Sequence, residues 1–333
     1  MNRKILICVL TTALLSTVPF AQAQQPKSIF RIGFLSRELH PADSRAPAPH
    51  RLEAFRQGLG KLGYVEGKNL IVEYRYAEGR FERLPALAEE LVGLNVDVIV
   101  TDAAASARAA KKATSTIPIV VVSAGNPIQG GLVASLARPG GNLTGLTGLT
   151  SELHGKRVEL LKEVVPKVSR FAFLDDDDRA ELSPFRYAQE AAQVLGVKLQ
   201  RVELKTSNPD FDSAFRVMIK DRVGGLITSA GQIGSTLHRK RILELLEQTR
   251  MPAIHPNPIW IDDGGLMYYG GNSSDLYRRA ATYVDKILKG AKPADLPFEQ
   301  ATKFELIINL KAAKQIGLTI PQKVLVRADR VIK

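Results

Sequence analysis

Cysteine is all but missing from this sequence. Its one copy, Cys8, stands inside an N-terminal apolar run, and no other occurs in 333 residues. That excludes a disulfide framework, and it excludes thiol chemistry anywhere past the start of the chain. Stability must therefore come from a buried core. Aromatic residues make up only 6%, with a single tryptophan, Trp260. The five histidines, His40, His50, His154, His238 and His255, show no metal-ligand spacing such as H-x-x-x-H. No G-x-S-x-G is present, and no serine sits in a context that pairs it with a local base. These absences argue against an enzyme without closing the matter, because distant residues can assemble a catalytic site.

The start of the chain carries a different signal. Arg3 and Lys4 form a positive segment, Ile5 to Val18 is apolar, and Ala21-Gln22-Ala23 is an A-x-A cleavage signal. Together they read as a secretory signal peptide over residues 1–23, cut after Ala23 so that the mature chain begins at Gln24. The competing reading, an N-terminal membrane anchor, fails on length, since a span needs about 20 apolar residues. Cys8 precedes most of the apolar run and is badly placed to anchor a lipid at a cleavage site. The net charge is +12, and losing Arg3 and Lys4 with no acid leaves +10. Basic residues are spread over the chain, and the densest spot is His238 to Arg241. That spot reads as a solvated helix face. Export argues further against nucleic acid as a partner.

Length suggests about two domains of ~150 residues each. An apolar content of 45% with 24% charged residues fits a soluble globular chain. From Arg31 the pattern alternates strand and helix: strands over Arg31–Leu35, Leu70–Tyr74, Val96–Val100, Ile117–Val122 and Leu143–Leu146, and helices over His50–Leu62, Leu84–Leu91, Ala103–Ala113 and Gly130–Ala137. A second block repeats the alternation. Its helices are Leu153–Val165, Pro184–Leu195, Phe211–Lys220 and Ser235–Gln248, and its strands Phe171–Leu174, Val197–Leu204, Val223–Thr228, Pro252–Ile254 and Leu266–Tyr269. Such alternation implies right-handed βαβ units, an α/β fold and parallel sheets. The blocks divide as residues 28–146 and 147–274. The tail, 275–333, is too small for a domain and completes one or both blocks. It holds a helix over Leu276–Leu288, a strand over Phe304–Ile308, a helix over Leu310–Ile316 and a last helix over Pro321–Val331. The sequence leaves open which block 310–333 joins.

In open α/β sheets ligands bind outside the carboxyl ends of the strands. Those loops supply the candidate binding residues: Ser36, Thr101, Asp102, Ser123, Asn126 and Thr147 in the first block, and Asp176, Ser229 and Asn257 in the second. They are hydroxyls, amides and carboxylates, suited to hydrogen-bonding a small polar ligand. Other motifs read more plainly. Gly58 to Gly63 matches G-x-G-x-x-G but closes a helix instead of opening one, so it carries no dinucleotide. Asp175 to Asp178 reads first as a solvated loop, then as a contact for a ligand's amino group, and last as a cation site. Trp260 reads as packing near the joint between blocks or as a ligand-stacking face. No cofactor and no metal is expected.

Several stretches resemble one family. They are RIGFLS at Arg31–Ser36, FRQGL at Phe55–Leu59, LGYVEGKN at Leu62–Asn69, GRFERLP at Gly79–Pro85, TSTIPIV at Thr114–Val120 and GLVASLARPGGN at Gly131–Asn142. Late in the chain come YVDKILKGAKP at Tyr283–Pro293 and KFELIIN at Lys303–Asn309. The chain resembles the bacterial ABC-transporter substrate-binding proteins of the tryptophan- and tyrosine-binding type. The resemblance implies two Rossmann-like lobes of type I periplasmic-binding architecture. It also implies a monomeric periplasmic receptor without catalysis that hands a small ligand, an amino acid or related compound, to an ABC permease in the inner membrane. Members often carry Asp where this chain has Asn126, Tyr-Asn-Pro where it has Asp175 to Asp177, and a Gly-containing turn where it has His255 to Asn257. Each departure is at a strand end, so the resemblance does not carry the ligand's identity over. Two other readings stay open: a receptor of this fold feeding a sensor, and an exported α/β hydrolase. A DNA-binding repressor of this fold would need a helix pair where the signal peptide stands.

Overall fold

The computed structural model describes residues 29–40, 50–148, 153–176, 183–231, 233 and 236–333. The signal-peptide reading, its cleavage site, Cys8, Asp177 and Asp178 fall outside them.

Two sheets organise these residues. The first has the order β11-β5-β4-β3-β1-β2 and is parallel throughout. Its strands are β1 (Phe30–Ser36), β2 (Leu70–Tyr76), β3 (Val98–Thr101), β4 (Ile119–Val121), β5 (Leu143–Thr147) and the two-residue β11 (Glu299–Gln300). The second has the order β13-β12-β10-β9-β8-β6-β7. It comprises β6 (Arg170–Asp176), β7 (Lys198–Leu204), β8 (Leu226–Thr228), β9 (Ala253–His255), β10 (Met267–Gly271), β12 (Phe304–Asn309) and β13 (Arg330–Ile332). Only the β10–β12 pair is antiparallel.

Each sheet is covered on both faces, which is why its strands read as continuous apolar runs. The period of two divides them between two cores. Ile32, Phe34, Val98, Val100 and Val120 join one cluster, while Leu35, Ile99, Ile119 and Val121 join the cluster behind. In β6, Phe171 and Phe173 face one core and Ala172 and Leu174 the other.

The tail serves both sheets. Helix Ser273–Leu288, capped by the Asn272 side chain accepting from Asp275 N at 2.8 Å, packs on helix His50–Lys61. The approach is close at Gly58, where a Cβ would stand 2.8 Å from that of Ala281. The G-x-G-x-x-G run thus ends in helix packing and a turn. β11 then adds to the first sheet, and β12 and β13 to the second. The chain passes between sheets three times, after Gly148, Gly271 and Gln300. The last two passages are tied together where Asn272 N donates to Lys303 O at 2.8 Å.

Two expected helices are absent. Over Gly130–Ala137 the backbone turns instead: Pro127 O accepts from Leu132 N and Val133 N, and Gly131 adopts φ +66. That φ leaves the helical path, and Leu132 and Val133 go into the core as anchors. Over Pro321–Val331 a single turn of helix, Gln322–Leu325, gives way to β13. Asp329 is the reason. Its N–H donates to Leu306 O at 2.9 Å and its carboxylate accepts from Leu306 N at 2.7 Å, laying the chain along β12.

Candidate functional site

A cavity of about 460 Å³ lies between the carboxyl ends of the two sheets. In the first sheet its wall is made by Arg37 and Glu38 after β1, Asp102 to Ala105 after β3, and Val122 to Asn126 after β4. In the second it is made by Asp176 at the end of β6, Ala230 and Gly231 after β8, Pro256 to Pro258 after β9, and Gly270 and Gly271 at the end of β10. The volume suits a small molecule.

Five of the nine residues expected from the strand-end rule line this cavity: Asp102, Ser123, Asn126, Asp176 and Asn257. The other four lie one layer behind. Ser36 is buried and its hydroxyl donates to Asp102 Oδ2 at 3.0 Å. Thr101 is fully buried within β3. Thr147 turns its hydroxyl to Gly125 O. Ser229 Oγ accepts from Gly231 N at 3.4 Å. Alternation along a strand aims successive side chains to opposite faces, so only every second residue at a strand end can face the opening.

The lining carboxylates hold loops. Asp102 Oδ2 accepts from Ser36 Oγ and from Arg37 N at 3.2 Å, while Oδ1 accepts from Ser106 Oγ at 2.5 Å. Burial raises its pKa; Arg37 opposes that, Glu38 adds to it, and the two serine hydrogen bonds oppose it as well. Asp176 Oδ1 accepts from Ile233 N at 2.8 Å. The four-aspartate run is therefore no solvated loop at its start. Asp175 and Asp176 belong to β6 and are buried, and alternation sends Asp175 to Arg201 Nη2 at 2.9 Å and Asp176 to the cavity. Asn126 Oδ1 accepts from Gln129 N at 3.1 Å, and Asn257 Oδ1 from Ile259 N at 3.1 Å. Both amides thus shape their turns while lining the wall. The Ser123 hydroxyl makes no hydrogen bond among the described residues.

Sequence reading missed the cations carried on helices. Arg37, Arg51, Arg108 and Arg157 line the cavity, with His154, Phe81, Tyr268 and Tyr277. Arg157 is fully buried, donates Nε to Tyr269 O at 2.9 Å, and has its pKa pulled down to about 10 by burial, which leaves it charged at neutral pH. A signal was available. His154, Arg157, Val158, Leu161 and Val164 fall on one helical stripe, so an arginine sat on a face otherwise bound for the core. The basic run at 238–241 also needs correcting. Arg239 is 1% exposed, donates Nε to Asp263 Oδ2 at 2.7 Å and lies 4.0 Å from Glu38 of the first-sheet side. Arg37 Nη1 makes a second crossing contact, to Ala230 O at 3.4 Å.

Trp260 lies in the second-sheet core, stacked on His255 at 4.2 Å, which is packing and not a cavity face. His255 Nδ1 lies 3.0 Å from Thr228 Oγ1. Burial pushes its pKa down to about 3, helped by Arg157 and Arg239, so the ring is neutral in the folded chain. Among the described residues no three His, Cys, Asp or Glu converge as a metal site, and no helix is long and apolar enough to cross a membrane.

Known proteins share this arrangement. A tyrosine-binding protein of Clostridioides difficile is 23% identical over 291 residues, covering 86% of this chain and 81% of that protein. The crystal structure of a conserved domain protein from Vibrio cholerae O1 biovar El Tor superposes with a TM-score of 0.79 at 29% identity, over 91% of this chain and all of that one. An ABC domain from Streptococcus pneumoniae in complex with L-Trp superposes with a TM-score of 0.80 at 24% identity, over 92% of this chain and all of that one. The two parallel-dominated sheets are thus the architecture of periplasmic binding proteins. The family model described as ABC transporter substrate binding protein matches residues 48–332, and the chain belongs to that family.

Proposed function

We propose that this protein is an extracytoplasmic solute receptor that closes on one small polar molecule and presents it to an ABC permease. The observation that carries the reading is the cavity of about 460 Å³ walled by strand-end loops of both sheets. Three passages of chain join the two sides, so the lobes can rotate about them and enclose a ligand. Arg37 to Ala230 and Glu38 to Arg239 are contacts of the kind that hold the closed form. Binding energy comes from hydrogen bonds made in a space from which water is expelled, with Ser123, Asn126 and Asn257 as uncharged partners. An amino acid or related compound is the class to try first, since relatives bind tryptophan and tyrosine. No nucleophile and base pair is needed, and the ligand leaves unchanged. The receptor acts as a monomer in the periplasm after its signal peptide is removed.

Small-angle scattering on protein stripped of ligand, then saturated with candidate compounds, tests the reading. The radius should fall on binding. A radius that stays constant at saturation would count against closure.

A further inference from the structure

The charges around the cavity are unevenly committed. Its carboxylates are already engaged by the protein. Asp102 already accepts from Ser36, Ser106 and the Arg37 backbone. Asp176 accepts from Ile233 N, and its Oδ2 lies only 1.6 Å from where a Cβ on Gly231 would stand, so it is wedged against that loop. Glu38 is held near Arg37 at 3.5 Å and Arg239 at 4.0 Å. Few acceptors are left for a ligand's ammonium group.

One of the cations is differently placed. Four arginines line the cavity against three carboxylates. Arg51, half-buried in the first turn of helix His50–Lys61, makes no hydrogen bond or ion pair among the described residues. Its charge is felt at the Asp262 carboxylate and at Tyr268 and Tyr277, which line the cavity from the second sheet and from helix Ser273–Leu288. A guanidinium partly withdrawn from water gains most from a planar anion that accepts two parallel N–H groups, which is the geometry of a carboxylate.

We infer that the cleft selects a small monocarboxylate, whose anionic group is met by Arg51, and that an α-amino group on the ligand is not required. This rests on the cavity being the ligand site and adds the sign of the charge it prefers. Arg51 is here a specificity-determining residue, reaching the ligand directly.

The test uses ligand-stripped protein and matched probes: acetate with acetamide, butyrate with butyramide, benzoate with benzamide, and phenylalanine with phenylalaninamide. Phenyl phosphate is added to separate carboxylate from other anions. Thermal shift and calorimetry are run at low and high salt. Within a pair that binds, the carboxylate should be favoured about tenfold. The preference should weaken as salt rises. Arg51→Gln should abolish the preference while the ligand-free melting temperature stays put. Equal affinity within the pairs, a preference that survives Arg51→Gln, tighter binding of phenyl phosphate, or no binding by any carboxylate each overturns the inference. Closure on an uncharged or cationic compound would keep the receptor reading and reject the carboxylate. No closure on any compound would reject both.

Discussion

The two walls of the cavity use one device in two ways. On the first-sheet side Asp102 gathers two hydroxyls and a backbone N–H, so hydrogen bonds fasten the loop after β1 to the end of β3. On the second-sheet side Asp176 takes the Ile233 backbone N–H and is pressed against Gly231. Packing adds to the hydrogen bond there, and two buried arginines stand on this side, Arg157 lining the cavity and Arg239 held by Asp263. A carboxylate at the end of a parallel strand is as apt to fix a loop as to meet a ligand. Which it does depends on the donors within reach.

Breaking the hydrogen-bonded wall should cost most. Asp102→Ala removes the acceptor for three buried or part-buried donors, and each unpaired donor costs about 1–3 kcal/mol. Allowing for relaxation, urea unfolding should show a loss of about 3 kcal/mol; a loss under about 1 kcal/mol would mean water replaces Asp102 freely. The packed wall should break by sterics. In Gly231→Ala the new methyl displaces the Asp176 carboxylate and with it the Ile233 bond, for a loss of about 2 kcal/mol. Unchanged stability there would show that the loop simply swings away.

The walls should also titrate in opposite senses. Buried Asp102 has its pKa raised, so the folded state holds that proton more readily, and its contribution to stability declines as pH rises through the folded value. His255, behind the other wall, has its pKa lowered to about 3 from an ordinary 6.5. Between those two values the unfolded chain binds the extra proton. Stability therefore falls as the pH falls from about 6.5 towards 3, with a slope of up to about 1.4 kcal/mol per unit. His255→Gln should flatten the pH profile of the unfolding midpoint in that window. An unaltered profile would place the acid sensitivity elsewhere.

The smallest effects separate turn-shaping from binding on the first wall. Asn126→Ala removes the acceptor for Gln129 N and should cost about 1 kcal/mol of stability, as losing a helix cap does. Ser123→Ala should stay within about 0.5 kcal/mol of wild type in unfolding, because its hydroxyl makes no hydrogen bond among the described residues. If both variants bind a ligand of the native protein with unchanged affinity in calorimetry, that wall does not contact it.

Strand-end loops were legible in advance because a buried parallel strand announces itself by a β-branched run, as at Ile119–Val121, and its next residues must emerge at the carboxyl edge. Asp102, Ser123, Asn126, Asp176 and Asn257 stand on the cavity wall in keeping with that rule. Ser36, Thr101, Thr147 and Ser229 fall behind the wall because a strand's phase at its last residue depends on its pairing, which one sequence does not reveal. Arg51 and Arg157 were missed for another reason: they sit on helices and reach the cavity only through the packing of those helices on the sheets.

By itself the sequence determined the alternation of strand and helix, and hence the parallel sheets. These follow from local periodicity, which any short window records. It also determined that the core must stand without disulfides. Tertiary structure decided the rest. It made Asp329 lay the last residues along β12 in place of a helix, because the free edge of that strand offered a ladder partner. It sent Asp175 and Asp176 to opposite faces, and it drew Arg239 out of solvent to Asp263. The donors and acceptors that settle a side chain's role come from segments far apart in sequence, and only the folded chain brings them within hydrogen-bond reach.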